Sequence, residues 1–119
     1  MDTTCLGAAL LPHPPIMLPE IGQQELKKME ATVTAVSTAA SLLVERRPET
    51  LVVITPHNYV FSDSAAIFPA ARIHGDLGKF GFPDLTMNVN TDMELAEEIL
   101  RQADGHTPLY RIDEEWAEK

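Results

Sequence analysis

The sequence predicts an α/β fold with a mainly parallel sheet, and three observations carry that prediction. Two short apolar runs, TCLGAALL at residues 4 to 11 and TLVVIT at residues 50 to 55, are each followed directly by a proline. Between them, residues 23 to 47 place apolar side chains at helical spacing. Strand, long helix, strand is a βαβ unit, whose two strands lie parallel and whose crossover is right-handed.

The first run is continuous rather than alternating, as in a strand buried on both faces. Cys5 lies inside it and is expected as a buried, inert thiol. The loop that follows, LLPHPPIMLPEIG at residues 10 to 22, sets four prolines around His13. Proline fixes φ and withholds a donor, so this loop is expected to be stiff. In the helix, Leu26, Met29, Val33, Val36, Ala40 and Leu43 recur at steps of three and four and draw one apolar stripe. Gly22 serves as N-cap, Glu25 falls in the first turn, Arg46 and Arg47 fall in the last, and Pro48 ends the helix. The second run is β-branched and reads as a second buried strand.

Beyond it the pattern loosens. SAAIFP at residues 64 to 69 reads as a third strand, and GDLGKFGFPD at 75 to 84 as a loop or wide hairpin turn. LTMNVN at 85 to 90 alternates and predicts a strand with one solvated face. Thr91 and Glu94 form a capping box for a helix on Met93, Ala96, Ile99, Leu100 and Ala103, with Gly105 as its C-cap. TPLYRI at 107 to 112 predicts a further strand. EEWAEK then opens an element that does not finish, which leads us to expect more chain beyond Trp116.

Composition narrows the function. The chain has 119 residues, 45% hydrophobic and 23% charged, which suits one domain with a modest core. A net charge of −9 argues against a nucleic-acid partner, whose phosphates require a basic face, and against anionic membranes. The single cysteine rules out a disulfide within the chain and points to a reducing cytoplasm. No signal-peptide pattern and no run of membrane-span length occurs.

The chemistry rests on two histidines. His13 follows the first expected strand and His57 the second. Neighbouring parallel strands run about 4.8 Å apart, so both imidazoles would leave one carboxyl edge, where ligands bind in open α/β sheets. Two such histidines suit zinc, iron, copper or nickel, and with one carboxylate they make the facial triad of non-haem iron(II) oxygenases. The competing reading makes each a capping or packing residue. Asn58, Tyr59, Ser62 and Asp63 follow His57 and are candidates to line a pocket, although Asp63 equally suits a turn cap. His74 and His106 are expected at the surface. Residues 75 to 78 lack the Lys-Ser/Thr ending of a phosphate loop.

Taken together, LLPHPPIMLPEIG and TLVVITPHNYVFSD resemble the class III extradiol ring-cleavage dioxygenases, the LigB-like group. Within it the chain is similar to the branch found beside or fused to AMMECR1 domains and related to the Memo proteins. The likeness covers most of the chain. It implies a three-layer α/β/α fold and a mononuclear Fe(II) site that takes a small aromatic diol and O2, with His13 and His57 as two metal ligands; zinc or another divalent metal is the substitute. It implies an AMMECR1 domain as a candidate partner, while apolar sheet surface left bare in an incomplete domain would favour a homo-oligomer. The family's domain is more than twice as long as this chain. Its third ligand is a distant glutamate, and its acid–base histidine lies in an Asp-His-Gly segment expected shortly after residue 119. The likeness therefore makes residues 1 to 119 the incomplete, N-terminal part of a LigB-like domain. Glu20 or Asp63 would be the substitute carboxylate here. The alternative it leaves open is a Memo-like, non-catalytic protein that binds a metal or a partner.

Overall fold

A strand persists only when its backbone groups join a ladder. In the computed structural model, which describes residues 4–57 and 60–112, neither residues 4–11 nor residues 50–55 join one. Both expected strands are therefore corrected to irregular segments. Much of both segments stays exposed: Leu10 is fully exposed, and Leu51, Val52, Val53 and Ile54 are between 64% and 93% exposed. For the same reason Cys5 is exposed rather than buried.

The chain divides into two units, residues up to 51 with 78–83, and residues 52–77 with 84 onward. The first unit is helical. A 3-10 turn, Pro15–Met17, leads directly into α1, Pro19–Gly22. A 3-10 segment, Gln23–Met29, continues into α2, Glu30–Glu45. The helical stretch thus starts where the pattern predicts, but its first two turns are tighter than α. Gln23, at φ +46, marks the change of direction between α1 and this segment. Leu26, Met29, Val33, Val36 and Leu43 are half-buried as expected. Ala39 takes the place expected for Ala40, which faces solvent. Arg46 and Arg47 lie just past α2. Arg47 takes φ +51, and Arg46 Nη1 donates to Leu6 O at 2.6 Å. Leu43 and Arg46 both pass close to Gly7. The N-terminal segment is therefore held by the end of α2, not by a sheet.

The second unit carries the strand pairing, apart from the hairpin tip at residues 78–83, which is counted with the first. β1, Ala65–Ile67, and β4, Leu109–Arg111, run parallel, with Ala65 opposite Leu109, Ala66 opposite Tyr110 and Ile67 opposite Arg111. Ile112 N–H extends the ladder to Ile67 O at 2.9 Å. Parallel neighbours need a long connection, and here it contains β2, Arg72–Leu77, β3, Phe82–Asn90, and α3, Met93–Ala103. β2 pairs with β3. Thr91 N–H donates to Ala71 O at 3.0 Å, and His74 meets Asn88. One index rises as the other falls, so this hairpin is antiparallel. Residues 75–77 and 82–84, expected in its loop, belong to β2 and β3, and the turn itself is residues 78–81, with Gly81 at φ +87.

α3 buries Ala96 and half-buries Met93, Ile99, Leu100 and Ala103, the predicted face. Its N-cap is Asp92, one residue after the expected Thr91: Asp92 Oδ1 accepts from Leu95 N–H at 2.9 Å. Thr91 is instead committed to the hairpin through its backbone. Gly105, at φ +75, ends the helix as predicted. Ile112 is buried and Phe61 stacks obliquely on Tyr110, ring centres 4.9 Å apart. The observed class is α/β, helices with a parallel strand pair, as predicted. Within the described residues that pair is β1 with β4, not the two N-terminal runs.

Candidate functional site

Each predicted site residue can be placed from its own segment. His13 stands exposed between Pro12 and Pro14 in the first unit, one proline before the 3-10 turn. A residue before proline is confined to extended backbone, and Pro14 itself is extended, φ −68 and ψ 137. The proline-rich loop runs straight into hydrogen-bonded turns, and its prolines fix φ along the way. His57 belongs to the second unit and is also exposed. Its N–H donates to the Thr55 hydroxyl at 3.3 Å, a local turn that needs no sheet. The expectation that both imidazoles share one sheet edge loses its premise, because the strands expected to make that edge do not form among the described residues.

Asn58 and Tyr59 lie outside the described residues. Ser62 and Asp63 are exposed beyond Phe61. Glu20 sits in the first turn of α1. Among the described residues no three His, Cys, Asp or Glu side chains gather as a metal-binding group. The donors present therefore do not by themselves complete the three-ligand set that a facial triad requires.

The hairpin arranges polar groups that the sequence pattern only half disclosed. Alternation in RIHGDL and LTMNVN puts Arg72, His74 and Asp76 on one face, opposite Asn90, Asn88 and Thr86. His74 Nδ1 and Asn88 Oδ1 are 2.8 Å apart. The amide oxygen only accepts, so Nδ1 carries the proton and donates. In the neutral ring Nε2 then holds the lone pair. His106 lines a shallow hollow of about 460 Å3 formed by residues 103–110.

Charge in the second unit is organised around α3. Arg101 donates to Glu98 at 2.9 Å through Nε and at 2.6 Å through Nη2, and Gln102 adds a third bond at 3.0 Å. Arg101 and then Gln102 hold the Glu98 carboxyl down at about 2, well below its ordinary 4.5. Arg111 bonds Glu97 and lowers that carboxyl likewise, tying β4 to α3. No helix among the described residues is long and apolar enough to cross a membrane.

Comparison with known proteins bears on the whole arrangement. The family model for the catalytic LigB subunit of aromatic ring-opening dioxygenase matches residues 7–107, a span that contains both His13 and His57. A curated protein of Clostridium acetobutylicum, Protein CA_C1420, is 35% identical over 99 residues. The match takes in 83% of this chain and 21% of that protein, so the chain spans about a fifth of the length of the curated relative it matches. No solved structure matches the chain. On the strength of a match running from Gly7 to Thr107, the chain belongs to the LigB family of aromatic ring-opening dioxygenase subunits.

Proposed function

We propose that this chain is the N-terminal part of a LigB-like domain whose whole protein opens the ring of a small aromatic diol with O2. His13 and His57 supply two imidazole ligands to an Fe(II) site, and the third, a carboxylate, comes from outside the described residues. One observation carries the reading. The family match spans both histidines, and each follows a proline that restricts the backbone leading to it. Iron, when bound, supplies Lewis-acid and orienting chemistry for the diol. The chain's own contribution is to hold two imidazoles, each next to a proline that restricts its backbone.

The finer placement, beside the AMMECR1-associated and Memo-related branch, rests on the LLPHPPIMLPEIG and TPHNYVFSD motifs. It suggests an AMMECR1-domain partner in the cytoplasm. A second reading is a Memo-like, non-catalytic member of the same fold that binds a metal or a partner.

Elemental analysis tests the first reading. The whole protein is expected to hold iron stoichiometrically, and His13→Ala or His57→Ala is expected to remove it. Stoichiometric iron retained in either variant sinks the ligand assignment. The 119-residue chain alone is expected to open no catechol. If the iron-loaded whole protein also gives no coloured ring-opened product across a catechol panel, the second reading prevails.

A further inference from the structure

The stretch that carries His13 closes on one glycine. Met17 N–H donates to Pro14 O and Leu18 N–H to Pro15 O, each at 3.0 Å. The next turn begins at once, with Ile21 and Gly22 N–H donating to Leu18 O at 3.1 and 2.7 Å. Gly22 is the buried residue of these two turns. Its backbone, φ −70 and ψ −37, is ordinary right-handed helix, which any residue adopts. The requirement for glycine is therefore one of space. A Cβ at this position would lie 2.0 Å from Ile16 O and 3.1 Å from Ile16 C. Both are backbone atoms, which cannot swing aside as a side chain can.

A methyl group here must push the Pro15–Met17 turn away from α1. That displacement has a short path to His13. Only Pro14 and Pro15 separate His13 from Ile16, and both have φ locked by their rings. The backbone between Ile16 and His13 is a stiff lever, with little freedom to absorb a shift at one end. We propose that Gly22 is a positioning residue for His13: its lack of a side chain seats the turn from which the two prolines aim the imidazole. The inference rests on the reading of His13 as a functional ligand, and it gives the four-proline loop a mechanical anchor nine residues away.

The test follows the four histidine imidazoles of the full chain by nuclear magnetic resonance, each assigned by its His→Gln variant. In Gly22→Ala the His13 signals are expected to move while those of His57, His74 and His106 stay. Gly75→Ala, where a Cβ meets nothing within 4 Å beyond its chain neighbours, is expected to move at most the adjacent His74 and to leave His13 unmoved. A folded Gly22→Ala chain with His13 unmoved, or with all four histidines shifted alike, overturns the proposal. Should Gly22→Ala fail to fold, Pro15→Ala decides. Loosening the lever is expected to increase His13 ring motion while the Gly22 amide keeps its protection from hydrogen exchange, and unchanged His13 motion overturns the proposal. Cobalt(II) alone, titrated into the unsubstituted whole protein, where the third ligand is supplied, separates the two ideas. Loss of the His13 response there overturns the ligand reading and leaves the effect of Gly22 on His13 standing. Where the response is present, Gly22→Ala is expected to weaken cobalt binding at His13 by about tenfold or more, and equal affinity counts against the lever.

Discussion

Glu98 shows how a single half-buried side chain can bias the acid behaviour of a helix. Its folded value of about 2 lies below the ordinary 4.5 because Arg101 and Gln102 bond the charged form. A lowered folded value means that the unfolded chain binds the extra proton first. The contribution is thus fully present above pH 4.5 and is lost as pH falls toward 2. Glu97, lowered by Arg111, acts in the same direction. Both pairs are largely solvent-exposed, so the effect is small. The expected outcome is a melting temperature that falls between pH 4.5 and 2, with a flatter fall in Glu98→Gln. Identical slopes in the two chains refute the assignment. At this scale the sequence disclosed the residue types well and the contacts poorly. The i, i+3 spacing of Glu98 and Arg101 is visible in the string. The closeness of Gly22 to Ile16 O is not, because a backbone approach leaves no residue pattern.

Elements were legible wherever their signal is local. The helix of residues 30–45 follows from its apolar stripe, and α3 from a cap followed by a periodic face. The cap itself moved from Thr91 to Asp92, since β3 claims the Thr91 N–H for its hairpin. Asp92→Ala is expected to cost about 1 kcal/mol of helix stability, read as lower α3 helicity by circular dichroism. Thr91→Ala is expected to cost less than Asp92→Ala, and the reverse order restores Thr91 as the cap. β1 and β4 also appear where short apolar runs predicted them. Residues 4–11 and 50–55 do not, although their composition is the more strand-like. Composition reports what a backbone prefers, and a ladder requires a second backbone. That partner is a non-local fact, which no window of sequence contains.

For the whole molecule the consequence is a chain with more apolar surface than it covers. Ala96 and Ile112 are the buried hydrophobic residues among the described ones, while Leu51 to Ile54 form an exposed apolar run with free strand character. Such segments invite pairing with another backbone. The charge of −9 opposes close approach of copies, and added salt screens that repulsion. The chain is therefore expected to self-associate with rising concentration, and more so in salt. A monomer by light scattering at high concentration in both low and high salt rules this out. Val53→Lys, which places a charge in the run, is expected to suppress association. For the candidate site the sequence offers His13 and His57 as candidates and no more. A third donor would come from sequence far away, and spacing alone carries no record of it.

The β1–β4 pairing has a temporal meaning as well as a spatial one. Three register pairs join residues 65–67 to 109–111 across a loop that holds a hairpin and a helix. Closing such a loop is entropically costly before any contact rewards it, whereas α3 and the β2–β3 hairpin need only near neighbours in sequence. The order of assembly in this unit is accordingly expected to be local first, with the parallel rungs closing late. Tyr110 sits on β4 against Phe61, so its ring is expected to report the closing of those rungs.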